Sequence, residues 1–203
     1  MDNIQDKKWD EKHMLYPIIK RIDELHKLDK TIIIAIDGNC GSGKTTYAKE
    51  ISEYYDCNIF HMDDFYLPFH RKTKERMATP AGTVEYERVY EEIISALLED
   101  NEVIYRPFLC ASRSLGEPIH TAYKKINIIE GSYSMHTMLQ PAYDLKIFLK
   151  HDDNIQKERI MLRNGYEKLQ EFLNLWIPLE NFYFESLNTE KCSDFVIDTT
   201  NLW

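Results

Sequence analysis

The sequence predicts an α/β fold: a mostly parallel sheet covered by helices. Three observations carry this. Thr31-Ile-Ile-Ile-Ala-Ile36 is a continuous, mostly β-branched run, and a strand apolar on both faces belongs inside a parallel sheet covered by helices. Further short apolar runs alternate with segments of helical spacing. A glycine-rich turn, Gly38 to Gly43, follows the first strand at once and opens a helix.

Taken in order, Met14 to Leu28 places Leu15, Ile18, Ile19, Ile22 and Leu25 at helical spacing. The first strand follows, then a helix over Thr45 to Tyr55 and a short strand over Asn58 to Met62. Residues 67–84 hold Pro68, Pro80 and Gly82 among charges and read as an irregular substrate-side loop or insertion. Glu85 to Glu99 carries Tyr86, Val89, Ile93 and Leu97 on one helical face. Val103 to Tyr105, Ile126 to Ile129, Leu145 to Leu149 and Phe195 to Ile197 are the remaining short apolar runs. Asp153 opens a helix, with Gln156 three residues later as a capping box. Gly165 is the expected break, and the helix after it runs to Pro178. No repeat, low-complexity stretch or linker interrupts the chain, so 1–203 reads as a single domain.

The chain has 203 residues, 43% of them apolar, enough for a sizeable core. Its net charge of −9 argues against a nucleic-acid partner, because an acidic surface repels phosphate backbones. No apolar run is long enough to span a bilayer, and Met1 to Lys12 is too charged for a signal peptide. The expected partner is a small molecule, not a membrane. Cys40, Cys57, Cys110 and Cys192 show no metal-ligand spacing, which fits reduced thiols in a cytoplasmic protein. A homo-oligomer is compatible with the sequence, which sets no oligomeric state.

The segment Gly38-Asn39-Cys40-Gly41-Ser42-Gly43-Lys44-Thr45, followed by Thr46, fits G-x-x-x-x-G-K-[ST] between a buried strand and a helix. Glycines allow a tight turn whose N–H groups point inward at phosphate oxygens, and the next helix presents its positive end to the same anion. Lys44 would reach the β- and γ-phosphates of ATP, and the Thr45 hydroxyl would coordinate Mg²⁺. Cys40, beside N–H donors and a lysine, is a candidate reactive thiol or an inert small residue that fits the loop. Neither an Asn-Lys-x-Asp guanine signature nor a strand ending in Asp-Glu is present. Glu130 ends a later apolar run and is a candidate for the Mg²⁺ site, or a structurally paired strand-end acid.

In open α/β sheets ligands sit at the carboxyl ends of the strands. Asp63 stands closest to such an end and is the candidate base for an acceptor hydroxyl, ahead of Asp64; it is also a candidate Mg²⁺ ligand. Tyr66 either contacts the acceptor or packs in the core. Arg159 and Arg163, four apart, share a helix face and are candidate lid cations for the transferred phosphoryl group. Glu85, Arg88, Arg106 and Arg113 are candidate substrate contacts, and His61 reads as a strand residue.

Gly38 to Thr46, Asp63-Asp-Phe-Tyr66, Ile129-Glu-Gly131 and Arg159-Ile-Met-Leu-Arg163 together resemble the uridine kinase and phosphoribulokinase family over roughly residues 30 to 200. The resemblance implies a P-loop NTPase three-layer sandwich with a five-stranded parallel sheet and a helical lid over 151–165. It implies Asp63 as the base, Lys44 and Thr45 as phosphate and Mg²⁺ ligands, and Arg159 and Arg163 as lid arginines. The departures concern the acceptor. Arg106-Pro-Phe-Leu-Cys110 stands where the family usually has Pro-x-Tyr-Asp-Phe, and Pro80-Ala-Gly-Thr-Val-Glu85 replaces an Asp-His-Pro segment, with Glu85 as a substitute acid. Trp176-Ile-Pro-Leu-Glu-Asn-Phe-Tyr-Phe184 resembles a bacterial uridine-kinase-like subgroup. The expectation is an ATP-dependent kinase acting on a nucleoside. The alternatives are a kinase for a sugar phosphate or a pantothenate-like alcohol, and a nucleotide-binding regulatory protein with little turnover.

Overall fold

A computed structural model describes residues 14–202, so Met1 to Lys12 lies outside the described residues. The apolar spacing after Met14 becomes α1 (Tyr16–His26), with Ile18, Ile19, Ile22 and Leu25 buried. Pro17 sits in its first turn, where no N–H partner is lost. β1 (Ile32–Gly38) is buried along its whole length, and the glycine turn leads into α2 (Lys44–Ser52). β2 (Cys57–His61) ends in a 3₁₀ turn, Met62–Phe65.

Residues 67–84 are more ordered than the proline and glycine content suggests. They form a 3₁₀ turn at Phe69–Arg71 and one turn of helix, α3 (Lys74–Met77), capped by the Thr73 hydroxyl. A bridge between Tyr66 and Val84 closes the excursion at its base. The next helix runs through α4 (Tyr86–Arg88), a π segment at Val89–Ile94 and α5 (Ser95–Leu98). Val89, Ile93 and Leu97 are buried on the expected face.

Four short strands follow: β3 (Val103–Tyr105), β4 (Phe108–Leu109), β5 (Ser114–Leu115) and β6 (Ile119–Thr121). They pair antiparallel, β3 with β6 and β4 with β5, and none joins the main sheet. Val103 to Tyr105 thus departs from the alternating pattern. Its flanking residues are buried but Ile104 is exposed, the period of a one-sided ribbon rather than of a two-sided parallel strand.

β7 (Ile126–Glu130), β8 (Leu145–Lys150) and β9 (Phe195–Asp198) complete a five-stranded sheet of order β2-β7-β1-β8-β9, parallel throughout. Successive β1 residues enter opposite cores. Ile33 and Ala35 pack with Phe60, Ile129 and Phe148; Ile32, Ile34 and Ile36 pack with Tyr47, Ile128 and Ile147. Each isoleucine so buried contributes about 1.5–3 kcal/mol. This is the three-layer arrangement, and it carries the loops at the strand ends on a stiff platform.

The C-terminal helices are α6 (Asp153–Asn164), α7 (Tyr166–Glu171), a π segment at Phe172–Trp176 and α8 (Ile177–Leu187). The cap of α6 is Asp152, whose side chain accepts the Asn154 N–H at 2.7 Å. Gln156 completes no capping box; it is buried and donates to the Cys40 carbonyl at 3.0 Å. Gly165, at φ 81°, breaks the run as expected. Pro178 does not end it: the helical run passes from the π segment at Phe172–Trp176 straight into α8. No helix among the described residues is long and apolar enough to cross a membrane.

Candidate active site

The cradle is set by backbone geometry. Gly38 ends β1 at φ 139°, and a Cβ there would lie 1.9 Å from the Leu149 carbonyl oxygen. Gly43 caps α2 in the left-handed region, at φ 90°. Between them the chain turns back on itself, and Lys44 Nζ donates to the Gly38 and Asn39 carbonyls at 2.7 and 3.0 Å. Cys40, Gly41, Gly43, Lys44, Thr45 and Thr46 line a cleft of about 750 Å³, within the usual range for a small-molecule site. Gly38, Asn39 and the buried Ser42 do not line it and form the back of the loop.

Of the two readings of Cys40, the geometry favours the inert small residue that fits the loop. It is buried beside Glu180 and takes a hydrogen bond from Gln156 Nε2 at 3.1 Å; burial, with the neighbouring carboxylate, pushes its pKa far up. Ile160 of α6 and Glu180 of α8, both remote in sequence, pack against it.

Glu130, at the end of β7, is 4% exposed. It accepts the Thr45 hydroxyl at 3.0 Å and lies 2.6 Å from His61 Nδ1. The sheet register sets His61 opposite Glu130, and that hydrogen bond raises the His61 pKa. The sequence alone pointed to no role for His61, since neither the pairing of β2 with β7 nor its register is a local property. A threonine hydroxyl and a carboxylate are hard oxygen donors that suit Mg²⁺. Among the described residues no cluster of three or more His, Cys, Asp or Glu forms a metal cage. Mg²⁺ that is shared with phosphates and waters needs none.

The two acids after β2 separate. Asp63 is exposed, lines the cleft and accepts the Tyr66 hydroxyl at 3.2 Å. Asp64 turns inward, accepts the Tyr105 hydroxyl at 3.0 Å and is raised in pKa chiefly by burial. Tyr66 lines the cleft, its ring 5.8 Å from that of Trp176.

The candidate cations divide in the same way. Arg163 lines the cleft, with its guanidinium 6.0 Å from the Phe172 ring centre. Arg159 does not join it: it donates to the Gly41 carbonyl at 3.3 Å and to the Thr199 carbonyl at 2.6 Å, behind the cradle. The helical phase put both on one face, but α6 packs that face partly against the loop. Glu85 is a buried internal acid, gripped by Arg71 and by Arg88 at 3.1 Å. Arg88 also bonds Glu92 at 2.6 and 2.8 Å and the Arg106 carbonyl at 2.7 Å. Arg106 donates to the Gly116 carbonyl at 2.7 Å. Glu85, Arg88 and Arg106 therefore leave the list of cleft residues, and Arg113 stays on it. Arg113 and Lys72 lie 4.8 and 4.6 Å from the ring centre of exposed Phe69. Phe69 and Lys72 line the cleft without a sequence signal of their own; Phe108 lies in the segment that departs from the family's second substrate motif, and Trp176 and Glu180 in the subgroup-like ending.

No protein-family model matches the chain. Curated relatives do. A uridine kinase of Anoxybacillus flavithermus is 26% identical over 187 residues, covering 83% of this chain and 86% of that protein. A nicotinamide riboside kinase of Saccharomyces cerevisiae is 25% identical over 195 residues, covering 82% and 80%. Among solved structures, a "possible uridine kinase" from Bacillus stearothermophilus superposes with a TM-score of 0.61 at 21% identity, covering 90% of this chain and all (100%) of that one.

Proposed function

Its curated relatives support the uridine kinase-like P-loop kinases as the family of this small-molecule kinase, and from that premise we propose that it moves the γ-phosphoryl group of ATP onto a hydroxyl of a nucleoside. One observation carries the proposal. The ends of three neighbouring strands, β1, β7 and β2, bring Lys44 with Thr45, Glu130 and Asp63 to the same cleft.

The roles follow from the chemistry of each group. The cradle N–H groups and Lys44 hold the phosphate chain, and the Thr45 hydroxyl and Glu130 are the residues that would hold Mg²⁺. Bound there, the ion would neutralise charge on the β- and γ-oxygens. Asp63 takes the proton of the acceptor hydroxyl. The acceptor oxygen forms its bond to the γ-phosphorus as the bond from that phosphorus to the bridging oxygen breaks, and ADP leaves. Arg163, near the end of α6, is the lid cation for the transferred group. Tyr66, Phe69, Phe108 and Trp176 offer aromatic surface at the acceptor end, suited to a planar base. The whole chain acts as one domain, and the cytoplasm is the proposed compartment, since Cys40, Cys57, Cys110 and Cys192 are all free thiols.

A second reading, a sugar phosphate or other anionic alcohol as acceptor, is favoured by Lys72 and Arg113. Both flank Phe69 in the cleft, and neither meets a carboxylate among the described residues. A nucleotide-binding switch with little turnover has no use for Asp63 in its present position. The test is ADP release with a panel of nucleosides, sugar phosphates and hydroxy acids. Acceptor-dependent ADP from a nucleoside supports the proposal, and stimulation by anionic alcohols alone supports the second reading. Tight nucleotide binding with no stimulation by any acceptor overturns the kinase mechanism.

A further inference from the structure

Glu180 is a buried acid that the transfer does not use. It lies on α8 and is 5% exposed. Its Oε2 accepts the Cys40 N–H at 2.9 Å, and its Oε1 accepts the Ser132 hydroxyl at 2.6 Å. Three residues on, Tyr183 donates its hydroxyl to Asp37 at 2.7 Å. One face of α8 thus grips the end of β1 and the cradle at two points.

The position of this carboxylate is what matters. The Cys40 N–H belongs to the loop whose N–H groups cradle phosphate oxygens, so one donor of the cradle is already spent on an acid. Ser132 follows Glu130 on the loop after β7, and β7 lies between β1 and β2 in the sheet. A carboxylate that spans Cys40 and Ser132 therefore stands on the side of the cradle toward Asp63, and it lines the cleft. That is the side on which a phosphoryl group must lie if Asp63 is to serve its acceptor.

A neutral glutamine could staple α8 to the loop equally well. A carboxylate adds repulsion that grows with the charge of the bound nucleotide, and its hold on Cys40 competes with a phosphate oxygen for the same N–H. We infer that Glu180 is a specificity-determining residue of the nucleotide site, which weakens binding of the triphosphate more than of the diphosphate. The inference rests on the nucleotide-binding reading above. Glu180 limits how tightly the charged donor is held before transfer.

The test is calorimetric titration of ADP and of a non-hydrolysable ATP analogue, each with Mg²⁺, into wild type, Glu180→Gln and Glu180→Ala, with thermal unfolding of each protein without nucleotide. Glu180→Gln keeps the shape and removes the charge. It should tighten the analogue about tenfold and ADP by less than about threefold. Glu180→Ala also releases the Cys40 N–H. It should lower the unfolding temperature yet still tighten the analogue, whereas a mere staple predicts that both fall together. Equal change for the two nucleotides, or weaker analogue binding in Glu180→Gln, overturns the inference. Should both variants fail to fold, Ser132→Ala loosens the carboxylate without removing it. A smaller but selective gain for the analogue supports the inference, and no selectivity overturns it. A wild type that binds neither nucleotide defeats the underlying reading instead.

Discussion

The proposed nucleotide half of the cleft and the proposed acceptor half are held by different means. The nucleotide half is contiguous: residues 38–46 turn between β1 and α2, and their chemistry is mostly backbone N–H and one lysine. The acceptor half is gathered from Asp63 to Lys72, from Phe108 to Arg113 and from Arg163 to Trp176, and its chemistry is all side chain. A contiguous site is a property of local backbone geometry. A gathered site depends on which side chains remain after internal pairing. Arg71, Arg76 and Arg88 all face the acids Glu85, Glu87 and Glu92, while Lys72 and Arg113 face the cleft.

The largest expected effect tests the acceptor half. Asp63→Asn should lower kcat by about 10²–10⁴-fold with ATP affinity kept, because only the base is lost. Asp64→Asn should lose far less, since Asp64 is bonded to Tyr105 away from the cleft. Single-turnover transfer beside nucleotide calorimetry reads both. A dead Asp64→Asn with an active Asp63→Asn would reverse the assignment.

The next effect tests the nucleotide half. Lys44→Ala should cost about 10²–10³-fold in turnover on every acceptor, because it removes a contact to the transferred charge. Turnover at the wild-type rate would remove the cradle from the mechanism.

A third prediction sharpens the division between cleft and internal cations. Arg88→Met should lower stability by about 1.5–3 kcal/mol, through the loss of charged hydrogen bonds to a buried acid. It should leave both KM values near wild type. Denaturant unfolding and steady-state kinetics check it; a large KM change with unchanged stability would return Arg88 to the substrate site.

The smallest effect is a pH slope. His136 stacks on Tyr86 at 3.6 Å, and burial lowers its pKa from 6.5 to about 4. With the folded value the lower of the two, the unfolded chain binds more protons between them. This contribution is fully present above pH 6.5 and is lost as pH falls toward about 4. Asp37 acts in the opposite sense: burial raises it to about 6, so its ionised form costs stability as pH rises through that range. His136→Asn should therefore remove only the first slope. Unfolding midpoints of both proteins from pH 4 to 7 measure the difference, and parallel profiles would show that His136 is not held neutral.

What the sequence determined by itself was whatever depends on near neighbours in the chain. The β-branched run fixed a central strand because its apolar residues leave neither face for water. The glycines and Lys44 marked the cradle because turn geometry and N–H orientation are local. The break at Gly165 and the amphipathic faces of α1 and of the 85–99 helix belong to the same class. Tertiary structure decided what depends on partners far along the chain. The register of β2 on β7 put His61 against Glu130. The packing of α6 on the cradle turned Arg159 and Gln156 toward its carbonyls, and α8 brought Glu180 to the Cys40 N–H. Glu85 and Arg88 carry charges that look available in the sequence, yet they neutralise each other in the fold. A charge is open to a substrate only after its neighbours in space have been counted, and those neighbours are set by packing rather than by spacing.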